Sequence, residues 1–326
     1  RDKGPRIVVI GGGTGLSSIL RGLKEYSRII TAVVTVADDG GSSGLIRKNI
    51  GILPPGDIRN CLAALSSDEE LITQLFQYRF AASTGLKGHS LGNLLISALT
   101  EITGSFEEAI AETAKVLAVQ GRVLPSTLKN VNLVADVKLP DKKIEQVIKG
   151  ESKIGKLGGK VRRIWLEPAN PAAFPPTVQA ILNADLIIIG PGSLYTSIIA
   201  NLLVPDLADA IRASNSFKVY ICNVASERGE TDGYSCGDHV RTIEKHAGSR
   251  LFDLVISNHR HDGDLPQGVS WVILEEEPIQ YPVYQADLLD VENPWRHDSA
   301  KVAKTVMDLY FERTGPLSSR EDTSAL

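Results

Sequence analysis

The chain has 326 residues, with 35 Lys and Arg against 39 Asp and Glu and a net charge of −4, so it lacks the basic excess of a nucleic-acid binder. No apolar run reaches the ~18 residues that span a bilayer, and the opening Arg1–Pro5 has no apolar signal-peptide core. Three widely spaced cysteines, Cys61, Cys222 and Cys236, suit buried positions in a reducing cytoplasm better than a disulfide frame or a zinc site.

Strands are predicted at 6–10 and 29–37, and helices at 14–25, 58–66, 68–80, 90–102 and 105–117. The third of these helices opens on a capping signature, with Ser67 ahead of Glu70. Strand and helix alternating in this way predict a parallel sheet covered on both faces. From residue 119 the pattern changes to short strand-like runs at 119–124, 131–137, 144–148 and 161–166. We read 119–166 as a β-rich insertion that caps the site or serves as an assembly surface, which makes a homodimer the expected assembly. Alternation returns near 175, with strands at 185–189, 217–222 and 253–257 and an amphipathic helix at 298–312. The expected organisation is one α/β domain over 1–312, followed by a tail, 313–326, with little to bury.

Three apolar strands stop at glycine-rich loops. The first loop, Gly11-Gly12-Gly13-Thr14-Gly15, is a departed dinucleotide fingerprint that reads Gly-x-Gly-x-x-Ser from Gly13. Glycine lets backbone approach a phosphate, and the helix that follows offers free N–H groups. The second, Gly40-Gly41-Ser42-Ser43-Gly44, suits an anion, yet Asp38 and Asp39 stand directly before it. Bare carboxylates repel a phosphate at close range. They therefore accept ligand hydroxyls, or they hold Mg²⁺ that bridges to the phosphate. One of them, Asp39, also suits a helix cap. The third loop, Gly190-Pro191-Gly192-Ser193-Leu194-Tyr195-Thr196, follows a continuous apolar strand and so lies at a carboxyl end of the sheet. Ser193 and Thr196 are phosphate or sugar donors, and Tyr195 either stacks on a base or packs in the core.

Leu53 to Asn60 is a rigid turn into a helix, where Asp57 is a cap or a third carboxylate. Arg59 there neutralises a phosphate or pairs with Asp57. His89 stands just outside another helix start, as a ligand contact or a surface cap, and Asn93 lies one turn in. Asn170 and Asn223 occupy strand ends. Asp298 is placed to cap the last helix, which leaves Arg296 for a diphosphate or a surface ion pair. His259 and His261, two apart on a polar loop, read as solvated rather than metal-binding. No nucleophile–base pair, zinc-binding His-Glu-x-x-His or P-loop is present, so no catalytic residue is assigned.

Taken together and in order, these segments are Gly11–Gly15, Ala37–Gly44, Leu53–Asn60, Gly88–Asn93 and Gly190–Thr196. They resemble the gluconeogenesis factor family of bacteria. That family is the uridine-diphosphate-sugar-binding branch of the superfamily that includes 2-phospho-L-lactate transferase. The likeness spans nearly all of 5–312. It implies a Rossmann-like three-layer α/β/α fold with a mostly parallel sheet, a cytoplasmic protein, and binding of UDP-N-acetylglucosamine, with NAD a possible alternative ligand. It further implies a role in cell shape on gluconeogenic carbon sources, with a cytosolic partner in cell-wall precursor synthesis. In the transferase branch the position of Asp38 and Asp39 serves a divalent metal and a diphosphate-linked substrate. Ser299 lies where relatives can carry a phosphorylatable threonine.

The leading expectation is a non-catalytic nucleotide-sugar sensor. Its diphosphate would rest on Gly12–Gly15 and Ser193, assisted by Arg296, with Asp38 at the ribose or base. A Mg²⁺-dependent phospho-acyl transferase is the alternative, and an NAD-dependent oxidoreductase the second.

Overall fold

The computed structural model describes residues 3–67, 70–81, 85–139, 145–275 and 278–315. Seven strands form one sheet: β1 (Ile7–Gly11), β2 (Ile30–Val34), β3 (Arg122–Pro125), β7 (Leu186–Ile189), β8 (Phe217–Ile221), β9 (Leu254–Asn258) and β10 (Val283–Ala286). Their order is β10-β9-β8-β7-β1-β2-β3, and every neighbouring pair is parallel. β1, β2 and β7 are buried at every position, as uninterrupted β-branched runs must be when helices cover both faces.

The first strand of this sheet pairs with β2 on one side and with β7 on the other. The chain thus lays β1, β2 and β3 outward in one direction, then crosses back to lay β7 to β10 in the other. Between β1 and β7 the connections leave in opposite directions, which opens a crevice at the strands' carboxyl ends. The register sets Ile10 beside Ile189, so the glycine loops after β1 and β7 leave the sheet side by side.

The helices are α1 (Gly13–Leu23), α2 (Gly41–Ile50), α3 (Gly56–Leu65), α4 (Glu70–Gln77), α5 (Leu91–Thr103) and α6 (Phe106–Val116). After them come α7 (Glu151–Ile154), α8 (Pro175–Leu182), α9 (Ala200–Leu202), α10 (Pro205–Ala213), α11 (Cys236–Ala247) and α12 (Ser299–Thr314). α1 packs on α3 and α12, α5 on α6, and α8 on α10. Among the described residues no single helix is long and apolar enough to cross a membrane.

Two expectations change. The Gly40–Gly44 segment, read as a loop, is the first turn of α2, whose Ser42, Ser43 and Ile46 are buried. Its glycines and serines conceal a helix that tertiary packing supports. The run 119–124 belongs to the main sheet, since β3 pairs in parallel with β2. The β-rich segment therefore begins after Pro125. Its strands β4 (Asn132–Lys138), β5 (Gln146–Lys149) and β6 (Lys160–Glu167) form an antiparallel sheet in the order β5-β4-β6. The cap expected over Ser67–Glu70, the start of the 144–148 strand and the tail beyond Gly315 fall outside the described residues.

Candidate functional site

The β1/β7 crevice holds a cavity of about 680 Å³. Gly12 to Gly15 line it from the first loop, Pro191 to Ser193 from the third, and Asn223 to Glu227 from the end of β8. Trp295, Arg296 and His297, just ahead of α12, also line it, as do Asn60 and Gln77.

Helix starts explain why these loops are receptive. α5, α6, α11 and α12 each have a side-chain cap, from Ser90, Ser105, Ser235 and Asp298. α8 and α10 begin with proline, which has no N–H to satisfy. α1, whose N-cap Gly12 lines the cavity, has no cap from its own N-terminal residues, and a carboxyl from α3, Asp57, takes its Gly13 N–H. After Ser193 the chain winds a π-helical run, Leu194–Ile199, whose Tyr195 N–H is taken by the Glu230 carboxyl. The remaining amides at Thr14, Gly15 and Ser193 line one crevice.

Arg296 lines the same cavity, and its guanidinium makes no hydrogen bond or ion pair among the described residues. His297 beside it donates from Nε2 to the Cys222 carbonyl at 3.0 Å. Burial pushes its pKa down to about 4, which keeps the ring neutral. Asn223 is buried and holds Gly192 N–H through Oδ1 at 3.4 Å.

The paired aspartates part company. Asp38 Oδ1 accepts from Gly40 N–H at 2.8 Å, and burial raises its pKa. Asp39 turns to the insertion, where its Oδ1 accepts from Ser152 N–H at 2.8 Å. The two aspartates thus face different partners, and Asp38 lies close enough to Asp57 for its charge to act there. Asp57 is no N-cap: α3 starts one residue earlier, and the carboxyl points at the Gly12–Gly13 backbone. Burial, and then the Asp38 charge, push it up to about 6.

Three further acids join this wall. Glu151, from α7, is pushed up to about 8 by burial and then by Asp38, Asp57 and Asp39. Glu230 is pushed up to about 8 by burial, Glu227 and Glu151. Burial likewise raises Glu227, which lines the cavity. Protonated, such carboxyls become hydrogen-bond donors. No glycine motif marks them, and Glu151 comes from the insertion, so sequence reasoning missed them. It also missed Gln77, Trp295 and Ser226, which carry no motif of their own.

The other predicted residues fall as follows. Ser42 Oγ bonds His89 Nδ1 at 3.0 Å and accepts from Asn93 Nδ2 at 3.0 Å, tying α2 to α5 beside the cavity rather than in it. Ser43 is buried next to Asp38. Arg59 lies behind the cavity wall and does not pair with Asp57; its Nη2 donates to Asn60 Oδ1 at 2.9 Å. Tyr195 is a core residue, 2% exposed, with its hydroxyl 2.7 Å from that of Tyr234. Thr196 donates to Glu230 Oε1 at 3.5 Å. Gly190 forms the turn out of β7. Asn170 is elsewhere, because its strand is β6 of the small sheet, and it lines a separate cavity of about 300 Å³. Asp298 caps α12 through Lys301 N–H. Ser299 Oγ donates to the Ser18 carbonyl of α1. His261 packs against the Trp271 ring.

The family model described as 2-phospho-L-lactate transferase CofD matches residues 7–314. The chain belongs to the CofD family. A protein of Nostoc sp. (strain PCC 7120) is 51% identical over 320 residues, 94% of this chain and 69% of that one. The gluconeogenesis factor of Halalkalibacterium halodurans is 44% identical, covering 94% of this chain and 97% of its own. That of Bacillus subtilis is 43% identical, covering 94% and 99%. The crystal structure of a Bacillus halodurans protein, 43% identical, superposes with a TM-score of 0.88 over 94% of this chain and all of the other.

For this CofD-family chain the acids also bear on a metal. Among the described residues no three His, Cys, Asp or Glu side chains are poised to share an ion. Mg²⁺ is commonly held by one or two carboxylates plus substrate phosphates. The Asp38–Asp57 pair fits that pattern only when a phosphate on the first loop completes the set.

Proposed function

We propose that the crevice binds a nucleotide diphosphate sugar of the UDP-N-acetylglucosamine class, and that the protein acts through this binding as a cytoplasmic regulator. The observation that carries the reading is the pair of glycine-rich loops brought side by side at the β1/β7 switch point, which share one cavity with the unpartnered Arg296. Amide donors at Thr14, Gly15 and Ser193 serve the two phosphates, and Arg296 neutralises their charge. Trp295 offers an aromatic face and Asn223–Ser226 polar groups for base and sugar. The name gluconeogenesis factor borne by relatives is consistent with a regulator of carbon use. Calorimetry with UDP-N-acetylglucosamine tests this. Saturable binding weakened by Arg296→Ala is expected, and a folded protein that binds nothing at millimolar ligand removes the reading.

A second reading has its own observation, the convergence of Asp38 and Asp57 behind the first loop. It is a transferase of the kind the family description names. Mg²⁺ held by the two carboxyls would neutralise a leaving diphosphate. Asp38 and Asp57 would position that charge, and the α1 amides would hold the phosphate. Here Mg²⁺ should raise the melting temperature only in the presence of a nucleoside diphosphate, and Asp38→Asn should abolish the rise. An unchanged response in that variant excludes this reading.

A further inference from the structure

Arg59 is 4% exposed, and its Nε and Nη1 are buried without a hydrogen-bond partner. Its one bond is Nη2 to the neutral Asn60 Oδ1. Asp57, two positions earlier, spends its carboxyl on the Gly12–Gly13 backbone. Burial and the nearby Arg79 guanidinium push Arg59 down to about 10, so it stays charged at neutral pH. A buried charged donor left unbonded is destabilising, and such groups in a folded protein call for a reason.

The surroundings hold this guanidinium in place. A Cβ on Gly92 would lie 2.9 Å from Arg59 Cδ and 2.7 Å from the Phe76 carbonyl oxygen, so α5 leaves room for the arginine by having no side chain there. Asn60 Oδ1 also accepts from Gln77 Nε2 at 3.1 Å. Both Asn60 and Gln77 line the cavity. Two donors, one of them charged, therefore converge on a single amide oxygen at the cavity wall. An oxyanion oxygen in that place would meet the same donors, and its second oxygen would reach the remaining N–H groups of the guanidinium fork.

We propose that Arg59 and Gln77 form a second oxyanion subsite beside Asn60 in the cavity, which takes a phosphate group distinct from the diphosphate once Asn60 turns aside. The inference rests on the reading of the glycine loops as the diphosphate site, because those amides leave Arg59 with no role there. The phosphate belongs to a separate small molecule that binds alongside the nucleotide sugar. The site would then sense two metabolites at once, or in the transferase reading hold a donor and an acceptor.

The probe is inorganic phosphate, titrated by calorimetry into protein saturated with UDP-N-acetylglucosamine. Saturable phosphate binding is expected, weakened at least tenfold in Arg59→Met, weakened severalfold in Gln77→Ala and partly retained in Arg59→Lys. Without phosphate, Arg59→Met should melt at or above the wild-type temperature, because it removes an unbonded buried charge but keeps most of the apolar stem. A variant that melts several degrees lower gives Arg59 a structural role and overturns the proposal. Phosphate that displaces the nucleotide sugar, or that binds Arg59→Met as it does wild type, overturns it as well. If UDP-N-acetylglucosamine does not bind at all, the nucleotide-sugar reading falls by itself; phosphate binding to the free protein that Arg59→Met removes would still support the subsite.

Discussion

Asp57 Oδ2 stands 2.6 Å from the point that a Cβ on Gly12 would occupy. The second glycine of the first loop is thus fixed by a carboxyl from α3. Its φ of −174° is open to any residue, so the constraint is close approach rather than conformation. Gly12→Ala should push Asp57 and Ser197 aside, at a cost of about 1–3 kcal/mol for an overpacked site. Ligand affinity should fall at least tenfold. A double-mutant cycle with Asp57→Ala checks the cause: the stability cost of Gly12→Ala should shrink in that background. An additive cycle would mean that the two side chains do not compete.

The acid wall makes stability depend on pH in a defined direction. Burial and the Asp38 charge raise Asp57 from the ordinary 3.8 to about 6 in the folded protein, so the folded state binds the proton more tightly. Its stabilising contribution is complete below about pH 4 and is lost as pH rises through 6, a change of up to about 3 kcal/mol. Glu151 extends the same trend toward pH 8. Thermal melts of the ligand-free protein from pH 5 to 8 should therefore show a decline that Asp57→Asn and Glu151→Gln each flatten. Equal slopes in wild type and both variants would show that these carboxyls ionise freely.

Much of this site is legible in the amino-acid sequence, and the reason is local. The Gly12–Gly15 and Gly190–Ser193 loops follow uninterrupted apolar strands, and a parallel sheet has to bury such strands and present their carboxyl ends. Asp298 as a cap follows from chain-local chemistry in the same way. What failed to show depends on non-local pairing. The division of Asp38 from Asp39 requires Ser152, 113 residues further on. Glu151 reaches the site only because β4 and β5 carry α7 there. Asn170 sits at a strand end as expected, but at the end of an antiparallel strand, which has no switch point to serve. The first turn of α2 was hidden by its own glycines, since propensity alone argues against a helix there.

Arg296 gives the cleanest separation of binding from folding. It is exposed, lines the cavity and has no partner among the described residues, so little stability depends on it. Arg296→Ala should leave the melting temperature within about a degree of wild type, as most surface substitutions do. It should weaken a diphosphate ligand by roughly ten- to a hundredfold, the loss of one charge-assisted contact. Arg296→Lys should recover part of that, and the wild-type advantage should shrink at high salt. Affinity that ignores both substitutions would place the diphosphate away from this wall.

Tyr195 tests whether the third loop recognises a base. Its ring is 2% exposed, and its hydroxyl is shared with Tyr234 at 2.7 Å. The π-helical run after Ser193 turns it inward, against the edges of Tyr234 and His246. Tyr195→Phe keeps the packed ring and removes two hydrogen bonds, to the Tyr234 hydroxyl and to the Val161 carbonyl at 3.4 Å, leaving the Tyr234 hydroxyl to find another partner. A loss of about 1–2 kcal/mol in unfolding free energy is expected, measured by denaturant titration. Nucleotide affinity should stay within about twofold, because no part of the side chain lines the cavity. Tyr195→Ala should cost about 3–5 kcal/mol by opening a cavity beneath the loop, and should weaken the ligand only through disorder of Ser193. If Tyr195→Phe weakened the ligand without changing stability, the tyrosine would have to face the cavity, and the assignment of base recognition to the Trp295 side would fail.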